Sequence, residues 1–114
     1  MPLLKITTNR EIESARRPAL LKAASEQVAA LLGKPERYVM VTLENNPDMI
    51  FAGSDDPLAY LELKSIGLPA DRTAGFSRSL CELLAQQLDI SADRVYIEFS
   101  DAERHLWGWN SATF

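Results

Sequence analysis

A strand–helix–strand order that occurs twice is the feature that most restricts how this chain folds. Residues Leu3 to Thr8 alternate around Leu4 and Ile6 and predict a strand, and the polar, turn-like stretch from Asn9 to Arg17 separates it from a helix. Pro18 suits a first helical turn. Leu20, Leu21, Ala24, Val28, Leu31 and Leu32 recur at helical spacing, and Gly33 with Pro35 ends the run. Tyr38 to Leu43 is rich in β-formers, Asn45, Asn46 and Pro47 interrupt it, and Met49 to Ala52 predicts a short extra strand before the GSDDP turn. The plan then restarts. Leu58 to Leu63 predicts a strand, and Phe76, Leu80, Leu83, Leu84 and Leu88 mark a second amphipathic helix capped near Asp71. Arg94 to Phe99 predicts the closing strand.

An offset of 57 residues aligns Arg37 with Arg94, Leu4 with Leu61, Leu31 with Leu88 and acidic Glu36 with Asp93. The identity is weak, but the repeated order is informative, because a right-handed βαβ crossover is the standard way for a chain to return to the same sheet in parallel. Two such units predict an α/β (α+β) fold, with a four-stranded mixed sheet and both helices on one face. The other face, carrying Met40, Tyr60 and Phe99 with few charges between them, needs cover, which other subunits would supply. The tail HLWGWNSATF is too short for a helix and rich in β-formers, so it is expected to pair with an edge strand of this subunit or a neighbour.

With 114 residues, 46% hydrophobic and 25% charged, residues 1–114 make one domain. Its core is small enough that self-association is physically reasonable. Twelve basic against sixteen acidic residues give a net charge of −4 without a dense Lys/Arg cluster, which argues against nucleic acid as a partner. Cys81 stands alone, so no internal disulfide forms, and no Cys/His cluster has metal-ligand spacing. The apolar start breaks at Lys5 and no stretch approaches a membrane span. The expectation is a cytoplasmic protein with no membrane partner; secretion without a signal peptide stays open.

The most unusual position for chemistry is residue 2. A small second residue normally allows Met1 to be removed, which here leaves the secondary amine of Pro2 at the chain start. An α-amino group has an ordinary pKa near ~8, within reach of neutrality after burial or beside a cation, and a group so poised suits general-base work. Taken by itself, Pro2 is more readily an accident of an N-terminus.

The segments MPLLKITTN, GKPERYVMV, SIG, LCELLAQQLDISADRVYIEF and GWNSATF, in that order and with almost no gaps, change those odds. Across nearly its whole length the chain resembles the macrophage migration inhibitory factor family of the tautomerase superfamily. The resemblance implies a homotrimer with active sites between subunits, and a cofactor-independent keto–enol tautomerase acting on phenylpyruvate-like 2-oxo acids. It implies Pro2 as the base and Lys34 as the cation that pairs with the substrate carboxylate and disfavours a proton on Pro2. Ile66 would donate its backbone N–H to substrate, and Tyr96 would reach the site from a neighbouring subunit. Tyr38, Trp109 and Phe114 would form an aromatic wall favouring an aryl-bearing substrate. Without the resemblance, Lys34 reads as a lysine satisfying the last carbonyls of its helix and Tyr96 as a half-buried strand tyrosine.

Several residues depart from the family pattern. Glu98 stands where mammalian members have an asparagine near the pocket. A carboxylate there would favour protonated Pro2 unless a cation such as Arg37 or Arg104 neutralised it. Trp107 replaces a smaller residue and would narrow the pocket. Leu58 and Leu61 occupy the positions of the mammalian Cys-x-x-Cys pair, so its dithiol chemistry is not expected. Cys81 is expected to be an inert buried thiol, and His105 has no partner in view.

Three functions compete at this point. The first is a tautomerase with Pro2, Lys34, Ile66 and Tyr96 as its working set. The second is a cytokine-like or protein-binding role with incidental turnover. The third is a hydratase or dehalogenase of an unsaturated acid, supported by Arg37 beside Lys34 and by Glu98 as a possible second acid–base group.

Overall fold

The computed structural model describes residues 1–114. Strand β1 (Leu3–Thr8) turns Leu4, Ile6 and Thr8 inward and leaves Lys5 exposed, the alternation a strand imposes on successive side chains. Helix α1 (Arg17–Leu32) carries Pro18 in its first turn and buries Leu20, Ala24, Val28 and Leu32, one residue per turn. Gly33, with φ of +62°, ends it in the left-handed conformation that an L side chain adopts only under strain. Strand β2 (Met40–Asn45) completes the first unit.

The second unit repeats this plan with strand β3 (Ala59–Ile66), helix α2 (Thr73–Leu88) and strand β4 (Val95–Ala102). Both helices have 16 residues. The 57-residue offset matches the inward residues of the opening strands, Leu4 with Leu61 and Ile6 with Leu63. The buried helix faces align one residue short of it, Leu20 with Phe76 and Val28 with Leu84. Asp71 does not cap α2. It lies in a 3-10 turn over Ala70–Arg72, and no side chain bonds the first amides of the helix. With an abutting 3-10 turn, the chain enters the helix already coiled, leaving no extended position from which Asp71 could cap.

The sheet order is β2-β1-β3-β4. β1 pairs in parallel with β2, β3 in parallel with β4, and the two units join through the antiparallel β1–β3 pair, in which Leu4 faces Leu63 and Ile6 faces Leu61. The result is the expected mixed sheet. One cluster of 17 buried residues, including Leu4, Leu61, Val28, Phe76 and Leu84, fills the space between the sheet and both helices.

The opposite face of the sheet differs from expectation. Phe99 shares the inward parity of Val95 and Ile97 and packs against Phe76, with ring centroids 6.4 Å apart. The open face is polar. Lys5 pairs with Glu62 at 3.4 Å, Lys64 pairs with the same carboxylate group at 3.6 Å, and the Tyr60 hydroxyl donates to Glu98 at 2.8 Å. A β-rich run read without its pairing partners merges two faces, and here the merger hid this charged lattice.

Two further segments depart from the sequence reading. Met49–Ala52 forms no strand. Phe51 and Ser54 exchange two backbone hydrogen bonds of 3.0 Å across Ala52 and Gly53, both at positive φ, a two-residue turn without flanking ladders. The C-terminal tail pairs with itself: β5 (Gly108–Trp109) and β6 (Ala112–Thr113) form a hairpin through Asn110 and Ser111, again both at positive φ. No helix is long and apolar enough to cross a membrane.

Leu61, fully buried at the middle of β3, supports both helices. Leu61→Ala is expected to lower unfolding free energy by about 3 kcal/mol, measured by denaturant titration; a loss under about 1 kcal/mol would mean the core collapses around the cavity.

Candidate active site

The hydrogen bond from Met40 N–H to the Pro2 carbonyl, 2.9 Å long, extends the β1–β2 pairing back to the start of the chain. Pro2 is fully buried. Continuing the β1–β3 register by two residues brings Pro2 opposite Ser65 and Met1 opposite Ile66, so the backbone of the SIG segment flanks the N-terminus.

Above Pro2 opens a cleft of about 360 Å³, lined by Pro2, Arg37, Tyr38, Trp107, Trp109 and Phe114 together with apolar neighbours. The hairpin builds its wall. Trp109 and Phe114 stack with centroids 5.3 Å apart and planes within 11°, and Tyr38 sets its ring edge-on to both, at 5.5 and 5.8 Å. The Phe114 amide donates to the Trp107 carbonyl at 3.2 Å, fixing the last residue of the chain against the start of the hairpin.

No Asp or Glu side chain lines this cleft, although the chain carries sixteen acidic residues. Lys34 follows the helix-ending Gly33, and its amide donates to the Ala29 carbonyl at 3.1 Å while its side chain is half-buried. The four ion pairs of the structure involve neither Lys34 nor Arg37. The Arg37 guanidinium lies 4.7 Å from the centre of the Tyr38 ring. The electrostatic consequence is visible at the chain start: burial, and after it the positive charge of Lys34, hold the Met1 α-amine below its ordinary pKa.

The structure therefore gathers Pro2, Tyr38, Trp107, Trp109 and Phe114 around one cleft; Lys34 does not line it, but its charge, after burial, lowers the Met1 α-amine. Ile66 is buried at the end of β3, paired with Ala102. Tyr96 and Glu98 belong to β4, the opposite edge of the sheet from β2, and line no part of this cleft within one protomer. Glu98 accepts from the Tyr60 hydroxyl and pairs with neither Arg37 nor Arg104, the cations named as alternatives. The register places Glu98 on the open face, one strand from Tyr60. Cys81 is half-buried on α2, and that burial pushes its thiol upward despite a hydrogen bond with Ser77.

Arg94 organises the surroundings of Tyr96 in a way the sequence did not disclose. Its guanidinium donates to the carbonyls of Phe51 (2.7 Å), Ser54 (3.0 Å) and Asp56 (2.9 Å) and covers the Phe51 ring, which in turn lies 4.6 Å from the Tyr96 ring. The only signal in the sequence was its alignment with Arg37 in the repeat. A second apolar concavity lies beside this clamp, between Met49–Ala52 and the strand residues Tyr60 and Tyr96, with Ile50 and Tyr96 71% and 66% exposed.

A family model described as "Macrophage migration inhibitory factor (MIF)" matches residues 1–114. The chain belongs to the macrophage migration inhibitory factor family. Within this family it is 42% identical over 115 residues to a homologue from Brugia malayi, covering 100% of this chain and 99% of the relative. It is 37% identical to the factor of Mus musculus over equally complete lengths. Its fold superposes on the crystal structure of a macrophage migration inhibitory factor homologue from Prochlorococcus marinus with a TM-score of 0.91, at 42% identity and 98% coverage of both chains.

The Tyr60–Glu98 contact offers a direct check of the geometry. The hydrogen bond to Glu98, ahead of lesser contributions from burial and the negative charges of Glu62 and Glu98, raises the Tyr60 phenol above the ordinary tyrosine value. In Glu98→Gln one of the three tyrosines is expected to titrate at lower pH than before, followed by tyrosinate absorbance; an unchanged titration would mean that the pair is not formed.

Proposed function

We propose that this chain is a cofactor-independent keto–enol tautomerase of phenylpyruvate-like aryl 2-oxo acids, with Pro2 as general base once Met1 is removed. The observation that carries the reading is the position of the chain start: a buried Pro2 at the floor of an aromatic cleft, where burial and Lys34 lower the α-amine of the adjacent Met1. Lowering the pKa of an amine enlarges its neutral fraction at a given pH, and only the neutral form can accept a proton.

In this mechanism the Pro2 nitrogen takes the proton from the enol oxygen and delivers it to the carbon next to the new carbonyl, so atoms and charge balance without a cofactor. Lys34 pairs with the substrate carboxylate, and the Ile66 N–H donates to the same end of the molecule. Tyr38, Trp107, Trp109 and Phe114 bury the aryl ring and hold the carbon against the amine. Fixing base and carbon in contact makes the proton shift effectively unimolecular.

A homotrimer belongs to the same proposal. Tyr96 lies across the sheet from its own Pro2, so its part in the reaction requires a neighbouring subunit. The exposed apolar surface of Ile50 and Tyr96 beside the Phe51 turn supports such contacts.

Two outcomes are expected from ketonisation kinetics of enol-phenylpyruvate, with Met1 removal verified by mass spectrometry. Pro2→Ala lowers kcat/KM by about a hundredfold, the scale of a positioned base; wild-type turnover in that variant would put the base elsewhere. Lys34→Ala raises KM by about tenfold through loss of a charged partner. It also moves the acid limb of the pH profile to higher pH, because removing a cation raises the pKa of the nearby amine and a larger fraction is protonated at a given pH. A limb that stays in place would show that Lys34 does not act on the base.

A further inference from the structure

We propose that the cleft selects dianionic substrates, aryl 2-oxo acids with a second carboxylate on the ring, and that Arg37 is the residue that reads this second group. The inference rests on the tautomerase reading for one point, that the first carboxylate lies toward Lys34 and Pro2.

Exposure rises from the chain start to Arg37. Pro2 is fully buried at the floor, Lys34 is half-buried beside the chain start, and Arg37 is exposed at the mouth. The rings of Tyr38, Trp109 and Phe114 line the same cleft, an apolar wall suited to an aryl group, and Arg37 lies against the Tyr38 ring of that wall. A ligand seated with one end at the floor and its ring against this wall directs the far end of the ring toward Arg37.

Arg37 is available for such a contact. It makes no ion pair, and no Asp or Glu side chain lines the cleft beside it. Its guanidinium rests on the Tyr38 ring, a stacked arrangement that limits its freedom while leaving N–H groups at its edge for a planar acceptor. A carboxylate offers two oxygens to match that edge. Arg37 is exposed, so its pairing energy is screened, and the preference should weaken as salt rises.

The test measures binding of two inert acids, cinnamate and 4-carboxycinnamate, by quenching of tryptophan fluorescence. Both tryptophans of the chain, Trp107 and Trp109, line the cleft and report on it. The proposal expects 4-carboxycinnamate to bind about tenfold more tightly at low salt, Arg37→Gln to bring the ratio of the two affinities to about one, and Arg37→Lys to keep part of the preference. Equal affinities in the wild type, a preference that survives Arg37→Gln, or no quenching by either acid would each overturn it. Because neither acid turns over, failure of the tautomerase reading appears separately, as a chain that binds the dianion selectively yet ketonises nothing.

Discussion

The antiparallel pairing of β1 with β3 is the constraint on which the rest of the structure depends. Each βαβ unit closes its own parallel pair, but only this central ladder joins the two units into one sheet, with Leu4 opposite Leu63 and Ile6 opposite Leu61 at the heart of the core. Because β1 begins at Leu3, the same ladder carries the chain start into the interior. A terminus would ordinarily fray. Here Pro2 is buried, its carbonyl accepts from the Met40 amide, and beside it burial and the Lys34 charge lower the Met1 α-amine. Fold and candidate chemistry thus share one element.

The cleft follows from that placement. Gly33 ends α1 and turns the chain so that Lys34, Arg37 and Tyr38 follow within one short connection to β2. The C-terminal hairpin brings Trp109 and Phe114 to Tyr38, so the two chain ends and the α1–β2 connection meet at one place. On the sheet's open face Glu62 is shared by Lys5 and Lys64 and Glu98 is bonded to Tyr60, and no Asp or Glu side chain lines the cleft. An overall acidic chain thereby presents a cationic mouth and an apolar floor.

Much of this was legible in the sequence, for identifiable reasons. The helix faces were read from Leu20, Ala24 and Val28 and from Phe76, Leu80 and Leu84, because burial against a sheet selects one stripe per turn. The strand faces were harder: Phe99 was placed with Tyr60 because parity depends on register, and register depends on partners distant in sequence. The tail hairpin turns on Asn110 and Ser111 at positive φ. Asn favours that conformation but Ser signals it weakly, so the residues point to an edge strand as partner and do not disclose the hairpin. The Arg94 clamp on carbonyls of the Phe51–Asp56 turn was invisible, since carbonyl acceptors leave no trace in residue identity. Among the candidate site residues, the aromatic wall was recognised by resemblance and meets around Pro2. The position of Tyr96 on the far edge of the sheet became apparent only from strand order.

The central claim is that Pro2, as the processed terminus, is a neutral amine poised to move a proton. The most direct measurement follows the nitrogen NMR shift of isotopically labelled Pro2 against pH in the Met1-free protein. The account predicts a single titration below the ordinary α-amino value of about 8, displaced upward in pH when Lys34 is replaced. A nitrogen that stays protonated through neutrality would contradict it.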